Sequence, residues 1–143
     1  MHIKQISVFV ENKTGRLAEI TRVISETGVD IRALSIADTS DFGILRLIVN
    51  KPDVAVAALK EAGLTVSLTD VIAVGVEDKP GEFSKAVKVM SDAEISIEYM
   101  YAFISRSDNQ AYVILRVENP TDAAAALQEK GFELLSAEKV YNL

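Results

Sequence analysis

Two short segments hold the residue types that could bind a small charged molecule. They are Glu11-Asn12-Lys13-Thr14-Gly15-Arg16-Leu17 and Glu77-Asp78-Lys79-Pro80-Gly81-Glu82-Phe83. In each, a β-type run leads into a glycine turn that opens an amphipathic stretch. A tight turn feeding a helix start leaves backbone N–H groups unpaired, and such groups favour a bound carboxylate or other anion. Asn12 and Asp78 add oxygen acceptors suited to an ammonium. Asp30 and Ser96 open the strands that follow the two helices. If sheet neighbours bring them to the turn, N–H groups for a carboxylate and oxygens for an amine would together suit one amino acid. The plainer alternative is that Asn12 and Asp78 cap their helices.

Little else could do chemistry. The 143 residues include no cysteine, which excludes disulfides and thiolate metal sites, and one histidine, His2, at a terminus expected to be mobile. No catalytic residue set, metal site or cofactor site is expected. Acidic clusters such as Glu77-Asp78 and Asp92/Glu94 lack calcium-loop spacing and read as solvated surface. Arg46 and Arg116, in corresponding strands but out of register, also read as solvated. Asn12-Lys13-Thr14 matches a glycosylation sequon by chance, since residues 1–15 carry charges where a signal peptide would be apolar. No apolar run reaches the roughly 18 residues of a membrane span, so the expected location is the cytoplasm. The net charge of −6 is uneven: residues 1–69 hold eight Lys/Arg and eight Asp/Glu, residues 70–143 seven and thirteen. An acidic half repels a phosphate backbone, which argues against nucleic-acid binding.

The elements that must position these residues occur twice. Val8 to Leu17 returns 66 residues later as Val74 to Phe83, and Pro52 to Gly63 returns 68 residues later as Pro120 to Gly131. A repeat of this length is a whole small domain, so the chain divides into 1–69 and 70–143. Ile6, Val8 and Val10 alternate as a strand, and Leu17, Ile20 and Ile24 follow at helical spacing with Gly28 as the stop. Val29–Ile36 and Gly43–Asn50 read as a hairpin turned by Asp38-Thr-Ser-Asp. Pro52 opens a second helix, stopped by Gly63, and Leu64–Leu68 is a short strand. In the second copy Phe83, Val87 and Met90 mark the helix, and Ile95–Ser105 and Gln110–Val117 the hairpin. The change of offset places two extra residues near Ser105–Asn109. Each half is therefore β-α-β-β-α-β. The fold class is α+β: two ferredoxin-like domains in tandem, with antiparallel sheets, helices on one face, and a pseudo-symmetric pairing. Thr65 to Val76 is nearly continuous β-type sequence and leaves no linker.

Glu-Asn/Asp-Lys-x-Gly-x-Leu/Phe after an alternating strand, then an amphipathic helix and Gly28-Val-Asp-Ile31, resembles the ACT domain. Both halves carry the resemblance, and the whole is similar to small stand-alone tandem ACT proteins. The resemblance implies a module that binds amino acids and regulates metabolic enzymes. In amino-acid-binding members the Asn/Asp of the turn and the polar residue two places after the post-helix glycine contact the ligand. Those roles fall on Asn12 and Asp30, and on Asp78 and Ser96 in the second copy. Gly15 and Gly81 match the glycine that admits the backbone. The expected ligand-binding set is Asn12, Lys13, Thr14, Gly15, Arg16, Leu17, Asp30 and Ile31, with Asp78, Lys79, Gly81, Ser96, Ile97 and Tyr99. The second copy departs from the pattern, with Glu94 where Gly28 stands in the first; Thr14 replaces a proline that Pro80 retains. Ligands of such proteins sit where two domains pair, and there Ile97, Tyr99, Tyr101 and Phe103 would line one pocket or simply cover a sheet face.

The leading expectation is a non-enzymatic amino-acid sensor, a homodimer that serves a metabolic enzyme or a transcription regulator, with no nucleic-acid or membrane partner. Three alternatives stand beside it. One is a structural oligomerisation module without ligand. Another is an acylphosphatase-like enzyme on the same fold, for which Lys13 and Arg16 would have to cradle phosphate. The last is an RNA-recognition-type binder, which needs the sheet aromatics that only the acidic half supplies.

Overall fold

In a computed structural model that describes residues 2–38, 41–104 and 109–143, the alternation at the start of the chain becomes strand β1 (Ile3–Glu11). Ile6, Val8 and Val10 point into a core, as period-two alternation demands. The elements that follow are α1 (Arg16–Glu26), β2 (Ile31–Asp38), β3 (Phe42–Val49), α2 (Pro52–Glu61) and β4 (Val66–Glu77). Then come α3 (Glu82–Asp92), β5 (Ile97–Ile104), β6 (Gln110–Val117), α4 (Pro120–Glu129), β7 (Glu133–Leu134) and α5 (Ala137–Tyr141). Thr39 and Ser40 of the first hairpin turn, and Ser105–Asp108 where the insertion is expected, lie outside the described residues. β2 and β3 are separated by three residues and β5 and β6 by five, which accounts for the change of repeat offset.

The chain forms two compact units. The first is Lys4–Thr69 joined by Val140–Leu143; the second is Asp70–Lys139 joined by the N-terminal residues through Ile3. In the first, β3 lies between β1 and β2, both antiparallel to it, with Val8 opposite Leu45 and Leu34 opposite Leu47. α1 and α2 pack together over one face. Ile20 and Ile24 of α1 and Ala55 and Leu59 of α2 meet Ile6, Val8, Val10, Leu45, Leu47 and Val49. In the second unit β6 lies between β4 and β5, and β7 adds to the other side of β4. Ala86 and Met90 of α3 and Ala123 and Leu127 of α4 meet Ile72, Val74, Val76, Val113, Leu115 and Val117. Val87, expected on the buried stripe, is not part of it; Ala86 is.

Two expectations change, at the N-terminus and on the sheet. His2 is part of the second unit, where its Nε2 lies 3.4 Å from Thr121 Oγ1, and the neighbouring Ile3 is fully buried. Arg116 is not a solvated face residue. It pairs with Glu98 at 2.9 Å and donates to the Asp70 carbonyl, because a bulge in β5 turns Glu98 toward it. The C-terminal segment forms α5. Val140 is fully buried, the Tyr141 hydroxyl accepts from the Lys4 N–H at 2.9 Å, and the Tyr141 carbonyl accepts from Arg32 Nε at 2.9 Å.

Candidate functional site

The turn before α1 is tied by its own backbone. Lys13 N–H donates to the Glu11 carbonyl at 2.8 Å, Arg16 N–H to the Lys13 carbonyl at 3.2 Å, and Asn12 N–H to Asp41 at the start of β3 at 3.0 Å. Gly15, at φ 90°, is the N-cap; a side chain there would meet no atom, so its left-handed backbone alone explains the glycine. Gly15 itself brings no side chain to cap α1. The helix therefore opens with N–H groups that lack intrahelical acceptors and with the positive end of its dipole.

Arg16 begins the helix and lies 3.2 Å from Glu19 and 3.9 Å from Glu11, while Lys13 pairs with Glu11 at 3.0 Å. The hydrogen bond from Lys13, with the charges of Lys13 and Arg16 behind it, holds the Glu11 carboxyl below its ordinary range. Arg16 is thus shared by two carboxylates.

The second turn copies the geometry and reverses the charge. Asp78 N–H donates to the Asn109 carbonyl at 3.2 Å, Lys79 N–H to Glu77 at 2.9 Å, and Gly81 caps α3 at φ 89°, again without side-chain help. Glu82 replaces Arg16 and exposes only 15% of its side chain. Its carboxyl is lowered by a hydrogen bond from Lys85, against partial desolvation, and Lys79 is raised chiefly by its hydrogen bond to Glu77. An anion approaching α3 meets Glu82; one approaching α1 meets Arg16.

Asp30 lies elsewhere. Its backbone N–H donates to Asn50 Oδ1 at 2.9 Å and its carbonyl accepts from Asn50 N–H at 3.1 Å, which fixes it beside the far end of β3. Its carboxylate, 62% exposed, pairs with Arg32 at 2.9 Å. With Ile31 it borders a groove of about 480 Å³ whose other walls are Thr21, Ile24, Ser25, Gly28 and Val29. The expectation that Asp30 sits near the turn therefore fails within one unit. The 11 residues of α1 run between them, about 16 Å at roughly 1.5 Å per residue. Asn12, Lys13, Thr14, Gly15, Arg16 and Leu17 form one cluster and Asp30 with Ile31 another, and a single amino acid cannot bridge them. Asp78, Lys79 and Gly81 are likewise separated from Ser96 and Ile97 by the 11 residues of α3.

The aromatic row also divides. Ile97 pairs with Val117 and Tyr99 with Arg116, so the bulge at Glu98 sends Ile97 and Tyr99 to opposite faces. Ile97 packs on the core, while Tyr99, Tyr101 and Phe103 share the face away from the helices. Phe103 meets the buried Tyr112 edge-on at 5.6 Å. Sequence reasoning missed Arg32 and Asn50, which hold Asp30. Spacing gave no signal for either: Asp30 precedes β2, and Arg32 lies in the register shift between Ile31 and Ala33.

The family model for an ACT domain pair matches residues 1–143. The crystal structure of protein BT0572 from Bacteroides thetaiotaomicron is 41% identical, covers 100% of this chain and 98% of its own, and superposes with a TM-score of 0.95. The ligand-free regulatory subunit of aspartate kinase from Thermus thermophilus is 19% identical over 92% of this chain and 94% of its own, with a TM-score of 0.63. The corresponding subunit from Thermus flavus is 17% identical over 90% and 92%, also at 0.63. These two share the fold. No curated protein matches the sequence.

Proposed function

The chain belongs to the ACT domain family, as a pair of ACT domains over residues 1–143, and from that premise we propose that it is a non-enzymatic regulatory protein that binds an amino acid or a similar small molecule. The observation that carries the reading is the start of α1, with Gly15 in the left-handed region at the N-cap and Arg16 in the first turn. It offers backbone N–H groups and a guanidinium to a carboxylate. Asp30, exposed and oriented by Arg32, offers an acceptor to an ammonium. Because one unit holds these at opposite ends of a helix, a ligand that uses both lies at a seam between ACT domains of two copies of the chain. The first copy's residues are the better site, since Glu82 opposes a carboxylate where Arg16 attracts one.

The listening partner in this reading is a metabolic enzyme or a transcription regulator. Aspartate kinase, whose regulatory subunits share the fold, exemplifies the first kind. Ligand binding biases that partner only through a difference in affinity between two states. We also propose a cytoplasmic homodimer; the described residues contain no helix long and apolar enough to cross a membrane. Leu34 and Ile36 on the edge strand β2 are 55% and 52% exposed, apolar surface that a second copy would cover.

The experiment is a melting-temperature screen of the purified chain against the individual proteinogenic amino acids, with hits titrated by calorimetry on wild type and Asp30→Ala. A ligand at a hundred times its dissociation constant stabilises by about 2.7 kcal/mol, which a melt resolves readily. A hit abolished by Asp30→Ala supports the sensor. A screen that stays flat at millimolar concentrations sinks it and leaves the structural oligomerisation module as the function.

A further inference from the structure

The two units carry a cavity at the same place, beside the strand–turn–helix junction and under the loop that follows the second helix, and the cavities differ. In the first unit it measures about 250 Å³. Phe9 and Phe42 fill part of that space, their ring centroids 5.2 Å apart. In the second unit Gly75 and Gln110 stand at the repeat positions of these two phenylalanines, and the cavity opens to about 480 Å³. Glu82 and Lys85 stand where the first cavity has Arg16 and Glu19. What was plugged by aromatic rings in one copy is open and polar in the other.

Gly75 explains how the space is kept. Its backbone is outside the left-handed region, so no turn requires a glycine there. A glycine inside a strand weakens it and marks close approach by something else. A Cβ at Gly75 would lie 2.8 Å from Gln110 Oε1 and 3.2 Å from Glu133 Oε2. Two oxygens thus converge over this one residue. Gln110 Oε1 is buried and has no hydrogen-bond partner, and Glu133 gives its other oxygen to Lys139 at 2.7 Å. Converging acceptors without a donor are costly when dry and call for a cationic donor. The last side-chain bond of glutamine turns easily, which brings Oε1 from the floor into the cavity.

We propose that this second-unit cavity binds a small molecule bearing a primary ammonium group, seated over Gly75 between Gln110 and Glu133, with its carbon skeleton against Val76, Val89 and Phe132. Glu77 and Glu82 add to the attraction and disfavour a simple anion; Lys85 and Lys130 at the cavity rim disfavour a second positive charge on the ligand. The site lies wholly within one unit and is independent of the amino-acid reading above, which uses Arg16 and Asp30 of the first.

The test uses the full chain, isotopically labelled for NMR, titrated with n-butylammonium chloride, with n-butanol and butyrate as controls of equal size. Saturable shifts are expected at Gly75, Phe132 and the Gln110 side-chain amide with the ammonium alone. Gln110→Leu, which keeps the bulk and removes the acceptor, should weaken binding at least about tenfold, the weight of one charge-assisted hydrogen bond. Gly75→Ala should do the same by occupying the seat. Asp30→Ala should leave the shifts intact, which separates this site from the first-unit reading. Three results would each overturn the proposal: no saturable shift in the millimolar range, equal shifts with n-butanol, or Gln110 amide protons protected from exchange before any ligand is added. The last would mean that the amide already satisfies Glu133.

Discussion

Arg16 and Glu82 occupy the same turn of the same motif and carry opposite charges, and the neighbouring side chains adjust to each. Glu11 is the readiest place to measure this. Its carboxyl sits below the ordinary glutamate range because Lys13 donates to it at 3.0 Å and Arg16 stands behind. A depressed folded value means that the pair favours the folded state above the unfolded glutamate pKa, and that this is lost as the pH falls through the folded value. All three side chains are exposed, so the stability involved is small and salt-screened, and the pKa itself is the better observable. NMR titration should find Glu11 titrating low and returning to the ordinary value in Lys13→Ala or high salt. An unmoved Glu11 in Lys13→Ala would refute the pairing. Asp30 behaves differently because removing it breaks no core contact. With 62% of its side chain exposed, Asp30→Ala should change folding stability by less than about 1 kcal/mol while abolishing any amino-acid-induced melting shift. A large loss of stability on chemical denaturation would show that Asp30 is a structural residue held by Arg32 and Asn50. Its role was legible only as a residue type at a spacing; what orients it depends on Asn50, twenty residues away across the sheet.

The helices show how far local sequence reaches. Gly28 follows α1 at φ 76°, and Glu94 takes the same place after α3 at φ 58°, one of two described non-glycine residues at positive φ. The motif predicted a glycine there, and its absence from the second copy marks a strained stop. Glu94→Gly should stabilise the protein by about 0.5–1 kcal/mol, the left-handed penalty less the added entropy of glycine. Gly28→Ala should destabilise by about 0.5–1 kcal/mol through the same two backbone effects in reverse, since a Cβ there meets nothing within 4 Å. Thermal or urea unfolding of both variants checks the pair; shifts of the same sign would show that packing, not φ, decides. The β-α-β-β-α-β order was legible because each element has its own period and its own stop, Gly15, Gly28, Gly63 and Pro52 among them. β7 and α5 were not, because two residues and five residues are too short to display a period. The bulges between Ile31 and Ala33 and between Ile97 and Tyr99 were equally silent in the sequence. Register is a property of two strands, and a one-residue slip sends a side chain to the other face without altering the pattern of either. That is why Ile97 and Tyr99, two apart, do not line one surface.

At the scale of the molecule, the repeat and the folding units are not the same partition of the chain. The sequence repeats at about residue 70, yet each compact unit also takes in a piece from the opposite end: residues through Ile3 go with Asp70–Lys139, and Val140–Leu143 with Lys4–Thr69. Ile3 and Val140 are both fully buried, so each end contributes core and not only a hydrogen bond. Neither half of the sequence therefore contains a complete unit. A fragment of residues 1–69 lacks Val140 and Tyr141, and one of residues 70–143 lacks Ile3. For a small unit with little core to spare, such a loss is a large share of its stability. Val140→Ala should cost about 2 kcal/mol, between the Ile→Val and Leu→Ala ranges for buried aliphatic truncation. Truncation after Lys139 should cost more, because it also removes the tyrosine that receives the Lys4 N–H and the carbonyl that receives Arg32. Native-state hydrogen exchange on the truncated chain locates the damage. Protection should fall first in β1, β2 and β3, far along the sequence from the cut, and least in α3 and α4. If protection falls instead only around β7 and the neighbouring part of β4, the C-terminal residues serve the second unit, and the division of the chain lies at residue 70 after all.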